Sequence, residues 1–276
     1  MAYLRLIRPL NVLIASGAVF IASFIAVGTE VSRQEVLVPI LLACFAAGLV
    51  TAAGNVLNDY SDRESDVVNH PERPIPSGQI TPSNALSYSV ALFVLSLPLA
   101  LIVNAECFLL AALNIIVLVT YEGKFKRRGI SGNLEVSWLT ASIFIFGGLA
   151  AYRGDFENLS RTLYLAMLAF FATLGREVAK DIQDVVGDTD RQTLPRRMGV
   201  ESAAQIAGLS FALAVLFSIP PPFLDLMNYY YLALVMVADV IFIYCTTLLI
   251  RNPARASNVA KIGMILALLA FLIGGL

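Results

Sequence analysis

The chain has 276 residues, 58% of them apolar and 14% charged, with a formal net charge of −1. Soluble domains average about 45–50% apolar and 25% charged residues, so this composition excludes a water-soluble domain of any size and predicts a polytopic membrane protein. The single histidine, His70, excludes zinc sites and histidine-based nucleophilic relays, and no nucleic-acid partner is expected of so uncharged a chain.

Nine apolar runs follow in order, at roughly 9–28, 36–57, 83–103, 105–121, 134–152, 160–180, 202–219, 229–250 and 257–275. A hydrocarbon core of roughly 30 Å takes about 20 such residues per helix. The runs therefore predict an all-α protein of nine transmembrane helices, forming one integral-membrane domain over residues 1–276. The first run is long enough to span and lacks a signal-peptide cleavage site. With the N-terminus inside, alternate loops place sixteen of the nineteen Lys and Arg residues on the inner side and only Arg33, Arg153 and Arg161 on the outer side. That asymmetry predicts a multi-pass protein of the cell membrane with a cytoplasmic N-terminus. Cys44, Cys107 and Cys245 show no paired spacing and read as packing residues. Tyr229, Tyr230 and Tyr231 are expected in an outer aromatic belt, and Trp138 near the inner one. Asp239, alone inside the eighth run, is expected to face the protein interior with a partner.

Two acidic clusters end the second and sixth runs: Asp59, Asp62 and Asp66, then Asp181, Asp184 and Asp188, each at spacing i, i+3, i+7. On a helix this spacing puts three carboxylates on one face, at a cost of about 0.2–0.5 kcal/mol per like-charged pair unless a cation sits between them. Asn58, Asp62 and Asp66 also offer oxygen ligands at i, i+4, i+8, which suit Mg²⁺, an ion that completes its octahedron with water and phosphate oxygens. Both clusters fall on the predicted cytoplasmic side. The inner loops there bring Arg73, Lys124, Lys126, Arg127 and Arg128, able to neutralise the remaining charge of a diphosphate. The loop from Val67 to Ser83 contains four prolines and Gly78, so its centre is expected to be turn-rich and to cap the site. Lys180 is a candidate phosphate ligand or an i+4 partner of Asp184.

The stretch from Asn58 to Asp66, the following Arg73-Pro74-Ile75-Pro76-Ser77-Gly78, and the stretch from Arg176 to Asp188 together resemble the UbiA superfamily of intramembrane prenyltransferases. The resemblance covers nearly the whole chain. Ile7-Arg8-Pro9-Leu10-Asn11, Gly132-Asn133-Leu134 and the stretch from Ile143 to Gly148 are most similar to the subgroup that builds archaeal ether lipids. It implies nine helices around a central cavity opening to the cytoplasmic face, with Mg²⁺ as cofactor and membrane lipids as neighbours. The implied reaction moves a geranylgeranyl group from geranylgeranyl diphosphate to the sn-2 hydroxyl of geranylgeranylglyceryl phosphate. By the same resemblance, Asn58, Asp62, Asp181 and Asp184 are catalytic, and Asn58, Asp62, Asp66, Asp181, Asp184 and Asp188 hold metal. The implied phosphate ligands are Arg8, Asn11, Arg63, Arg73, Tyr121, Lys124, Lys126, Arg127 and Lys180. The family's Tyr-x-x-x-Lys element is shifted here: Tyr121 is followed by lysines three and five positions on.

Two other readings stay open. A prenyltransferase with an aromatic quinone-precursor or tetrapyrrole acceptor needs the same metal and diphosphate chemistry. A cation transporter also uses intramembrane carboxylates, although its site belongs near the bilayer midplane on broken helices, whereas these clusters end helices beside basic loops.

Overall fold

The computed structural model describes residues 1–122, 130–152, 154, 156–185 and 192–275. All regular structure among them is helical. A short α1 (Ala2–Ile7) leads into α2 (Pro9–Val27), α3 (Gln34–Ser61) and a short α4 (Arg63–Asn69). A turn-rich segment then reaches α5 (Pro82–Val103), α6 (Ala105–Thr120) and α7 (Ile130–Ala151). The chain continues through α8 (Phe156–Asp184), a short α9 (Leu194–Met198), α10 (Val200–Ser218), α11 (Tyr229–Leu248) and α12 (Pro253–Gly274). Each of the nine apolar runs thus forms a helix. Eight of these helices are long and apolar enough to cross a membrane among the described residues, and α6 is a shorter apolar helix.

Local chemistry sets the boundaries. Proline stands in the first turn of α2, α5 and α12, where a missing N–H costs nothing. Asn104, Asn228 and Asn252 cap α6, α11 and α12 by accepting backbone N–H bonds. The 28 residues of α3 and 29 of α8 outrun their apolar stretches. At 1.5 Å per residue they measure about 42–44 Å, so one end of each extends past a hydrocarbon core of roughly 30 Å. Those overhanging ends carry the acidic residues.

In the packing, α2 lies against α3 and α7, α5 against α3, and α7 against α8, which also meets α10 and α12. The α2–α7 crossing is tight: a Cβ on Gly147 would lie 2.5 Å from the Val19 carbonyl oxygen and 2.6 Å from Ala22 Cβ. Ser23 Oγ donates to the Gly147 carbonyl at 2.8 Å across the same contact. Small residues let membrane helices approach this closely, and van der Waals packing and hydrogen bonds then hold them.

The structure departs from sequence expectation at Tyr231 and Trp138, and places Asp239 inside with a partner as expected. Tyr229 and Tyr230 are exposed, but Tyr231 is fully buried and its hydroxyl donates to the Ser218 carbonyl at 2.6 Å. One helical turn carries all three tyrosines, so a single face cannot present them all outward. Trp138 donates its indole N–H to Asn114 Oδ1 at 3.0 Å, an internal contact between α7 and α6. Asp239 is buried and accepts from Ser218 Oγ at 2.8 Å, which makes it a link between α11 and α10. Cys44, Cys107 and Cys245 are free.

Gly147→Ala is expected to lower stability by about 1–3 kcal/mol through overpacking of the α2–α7 contact, read as a lower midpoint of thermal unfolding in detergent. Gly54→Ala, at a site where a Cβ meets only Leu118 methyls at 3.4 and 3.5 Å, is the control expected to keep the wild-type midpoint or exceed it.

Candidate active site

A cavity of about 730 Å³ opens between α3, α6, α7 and α8. Its polar walls include Arg8, Asn11, Asn58, Tyr121, Glu122 and Lys180. Its apolar walls include Ala47, Ala111, Ile143 and Phe146. Asn58 and Ala47 lie eleven positions apart on α3, about 16 Å along the axis, so the cavity changes from polar to apolar over three helical turns.

The first acidic cluster does not continue one straight helical face. α3 stops at Ser61, Asp62 occupies the junction, and α4 starts at Arg63. Asp59 and Asp66 turn inward, 3% and 4% exposed, to meet arginines, while Asp62 is half-buried. Arg8 pairs with Asp59 and donates to Asn58 Oδ1 at 3.4 Å. Arg73 Nη1 lies 2.7 Å from Asp66 Oδ2 and 3.6 Å from Asp59 Oδ1. The like-charge repulsion of the spacing is thus relieved in part by guanidinium groups. Asn58 Nδ2 donates in turn to Glu122 Oε1 at 2.9 Å, tying the end of α3 to the end of α6.

The turn-rich segment after α4 is held in place by more than Arg73. Ile75 and Ile80 are 7% and 4% exposed and pack with Leu6, Val56 and Leu57. The segment closes over the ends of α1 and α3 as part of a small apolar core.

On α8, Asp181 is half-buried and accepts from Asn133 Nδ2 of α7 at 2.8 Å, and Asp184 is exposed at the last helical position. Lys180 pairs with Glu177 at 2.8 Å rather than with Asp184; Glu177 is also gripped by Arg176 at 2.6 Å. Glu177 and Lys180 both line the cavity. Arg63 lies against the Tyr60 ring, 4.7 Å from its centroid, and donates to the Tyr60 carbonyl, so it serves the helix junction rather than the cavity wall. Lys124, Lys126, Arg127 and Asp188 lie outside the described residues.

Sequence reasoning assigned no role to Glu122, Asn133 or Asn114. Asn114 donates to Ser142 Oγ at 2.9 Å and lines the cavity beside Thr140. The available signal was a polar amide inside an apolar run, which by default faces a cavity or a partner.

Among the described residues no three His, Cys, Asp or Glu side chains gather into a ready-made metal cage. The donor set nevertheless fits Mg²⁺, which commonly takes one or two carboxylates and fills its shell with water and phosphate oxygens. Asn58 and Asp62 at the end of α3, with Asp181 and Asp184 at the end of α8, are oxygen donors of that kind and leave the remaining positions to a ligand.

The profile of the UbiA prenyltransferase family matches residues 12–272. Curated relatives include a digeranylgeranylglyceryl phosphate synthase of Methanothrix thermoacetophila, 39% identical over 99% of both chains. Another is the enzyme of the same name from Methanopyrus kandleri, 36% identical over 98% of both. A solved structure described for digeranylgeranylglyceryl phosphate synthase in membranes is 33% identical, with a TM-score of 0.91 over 99% of this chain and 97% of that one. A UbiA homolog from Archaeoglobus fulgidus bound to GPP and Mg²⁺ shares the fold, with a TM-score of 0.61 at 17% identity over 98% of this chain and 99% of that one.

Arg73→Ala is expected to raise proteolytic nicking between residues 70 and 81 severalfold in the detergent-purified protein, followed by mass spectrometry of the fragments. Unchanged nicking would mean that Ile75 and Ile80 secure the segment without the ion pairs.

Proposed function

Because the chain belongs to the UbiA prenyltransferase family, we propose that this membrane prenyltransferase transfers geranylgeranyl from geranylgeranyl diphosphate to the sn-2 hydroxyl of geranylgeranylglyceryl phosphate, a step of archaeal ether-lipid synthesis. The observation that carries the reading is the cavity itself, polar where α3 and α8 end and apolar along α3 towards Ala47. An isoprenoid diphosphate has the same polarity profile. Full-length similarity to enzymes named digeranylgeranylglyceryl phosphate synthase supports the choice of acceptor.

Asn58, Asp62 and Asp66 on one side, and Asp181, Asp184 and Asp188 on the other, would hold Mg²⁺ in this reading, with Asp66 sharing its carboxylate with Arg73. Bound there, Mg²⁺ neutralises diphosphate charge and makes the diphosphate a better leaving group. Arg8 and Lys180 add positive charge at the polar walls, where the diphosphate would sit. The allylic C–O bond breaks with its electron pair going to the diphosphate. The sn-2 oxygen supplies a lone pair to the allylic carbon and gives up its proton to the released diphosphate, closing the ether bond. Ile143, Phe146 and their neighbours keep water from the allylic carbon, which would otherwise be lost to hydrolysis. Asn133 orients Asp181 by its hydrogen bond. The lysine and arginine asymmetry supports a cytoplasmic opening, and the continuous packing of α2, α3, α7 and α8 supports one domain.

Detergent-purified protein is expected to transfer label from geranylgeranyl diphosphate to geranylgeranylglyceryl phosphate and not to 4-hydroxybenzoate, with activity lost on chelation and restored by Mg²⁺. Product with the aromatic acid alone would keep the chemistry and overturn the acceptor. Asp62→Ala and Asp184→Ala are each expected to cut turnover at least about 10²-fold while leaving a folded, membrane-inserted protein by size-exclusion chromatography. Wild-type turnover in either would remove the metal-diphosphate assignment.

A further inference from the structure

We propose that Asp59 is a positioning residue, whose buried carboxylate presents the Arg8 guanidinium to a phosphate group of the substrate at the cavity wall. The proposal rests on the prenyl-transfer reading only for the identity of the phosphate carrier.

Asp59 is 3% exposed and does not line the cavity, whereas its neighbours in space and sequence, Arg8 and Asn58, both do. Its Oδ1 meets two guanidinium groups, Arg8 in direct contact and Arg73 at 3.6 Å. Both guanidinium groups meet the same oxygen, so Asp59 is held as an ion-pair partner of arginine. Asp62, three positions on, is half-buried.

Arg8 is arranged for a ligand. Among the described residues its side-chain partners are Asp59 and Asn58, and both are reached through Nη2. Among the described residues Nε and Nη1 make no side-chain bond, and each can still donate to a phosphate oxygen. The side chain stays 34% exposed despite the ion pair.

The backbone at Arg8 points the same way. It adopts φ 50° and ψ 74° and precedes Pro9. A left-handed conformation is unfavourable for a residue with a Cβ, and such outliers persist only where their surroundings over-determine them. Three anchors do so here. Leu6 is fully buried, Asn55 Nδ2 donates to the Ile7 carbonyl at 2.9 Å, and Asp59 takes the guanidinium. The turn between α1 and α2 is thereby fixed against α3, with the arginine at the cavity.

The test compares Asp59→Asn with Asp62→Asn in detergent-purified full-length protein. Asp59→Asn is expected to raise the KM of at least one phosphorylated substrate about 10-fold or more, as loss of an orienting partner does, with kcat changing less than about threefold. Geranylgeranyl diphosphate and geranylgeranylglyceryl phosphate are titrated separately, and the one whose KM rises carries the phosphate that Arg8 meets. Mn²⁺ affinity, read by electron paramagnetic resonance, is expected to stay at the wild-type value in Asp59→Asn and to fall in Asp62→Asn. Arg8→Gln is expected to reproduce the KM rise, and adding Asp59→Asn to it to raise KM no further. If Asp59→Asn does not fold, Arg8→Gln and Arg8→Lys carry the test, since only a guanidinium can hold Asp59 through one nitrogen and offer others to a phosphate; a wild-type KM in both overturns the proposal. Equal loss of Mn²⁺ affinity in Asp59→Asn and Asp62→Asn, or a fall in kcat at unchanged KM, also overturns it. Calorimetric binding of inorganic pyrophosphate, weaker in Arg8→Gln than in wild type, reads the same contact without turnover. Pyrophosphate binding weakened by Arg8→Gln in a protein that transfers no prenyl group would sink the prenyl-transfer reading and leave the Asp59–Arg8 assignment standing.

Discussion

A carboxylate buried at the end of a membrane-spanning helix needs a cation beside it, and the site depends on how Asp59 meets that need. Desolvated charges are costly unless paired and hydrogen-bonded. Arg8 and Arg73 supply the pairing from two separate parts of the chain, one from the turn into α2 and one from the segment after α4. Arg73 continues to Asp66, so alternating charges run from the cavity wall to the turn-rich segment. Removing any member leaves its neighbour's charge partly uncompensated, which is why these four residues act as one unit.

That unit links two kinds of structure with different demands. α3 and α8 are built to cross hydrocarbon, and small residues such as Gly147 allow the tight contacts such helices need. Their overhanging ends carry charged and amide side chains of the cavity mouth. The transition takes place within single helices: Ala47 and Asn58 share α3, and both line the same cavity. A molecule that is half hydrocarbon and half phosphate would match that gradient without any separate binding domain.

The polar contacts around the mouth come from residues distant in sequence. Glu122 holds Asn58 across 64 positions, and Asn133 holds Asp181 across 48. Such bonds fix amide and carboxylate orientation, the property a hard-cation or phosphate site requires. Glu177 serves differently. It takes Arg176 and Lys180 at once, so Lys180 reaches the cavity as part of a charge cluster rather than as an isolated cation.

The apolar periods and the prolines and asparagines at their edges determined the helices, because a segment surrounded by lipid must satisfy its backbone bonds internally and has few alternatives. The turn-rich centre after Asn69 was equally legible, since four prolines exclude a continuous helix. The acidic strings, read with the residues around them, were enough to indicate the family, because such residues are rare beside apolar runs and stand out. Only the tertiary structure decided which of those residues line the cavity and which face each other. The pairing of Asp59 with Arg8 and of Trp138 with Asn114 depends on where another segment arrives, and Lys180 pairs with Glu177 rather than Asp184 within its own helix. Tyr231 turned inward for the same reason, because Ser218 offers its hydroxyl an acceptor there. A spacing of three or four residues specifies a face of a helix, and the neighbour that covers the face is set by packing of segments far along the chain.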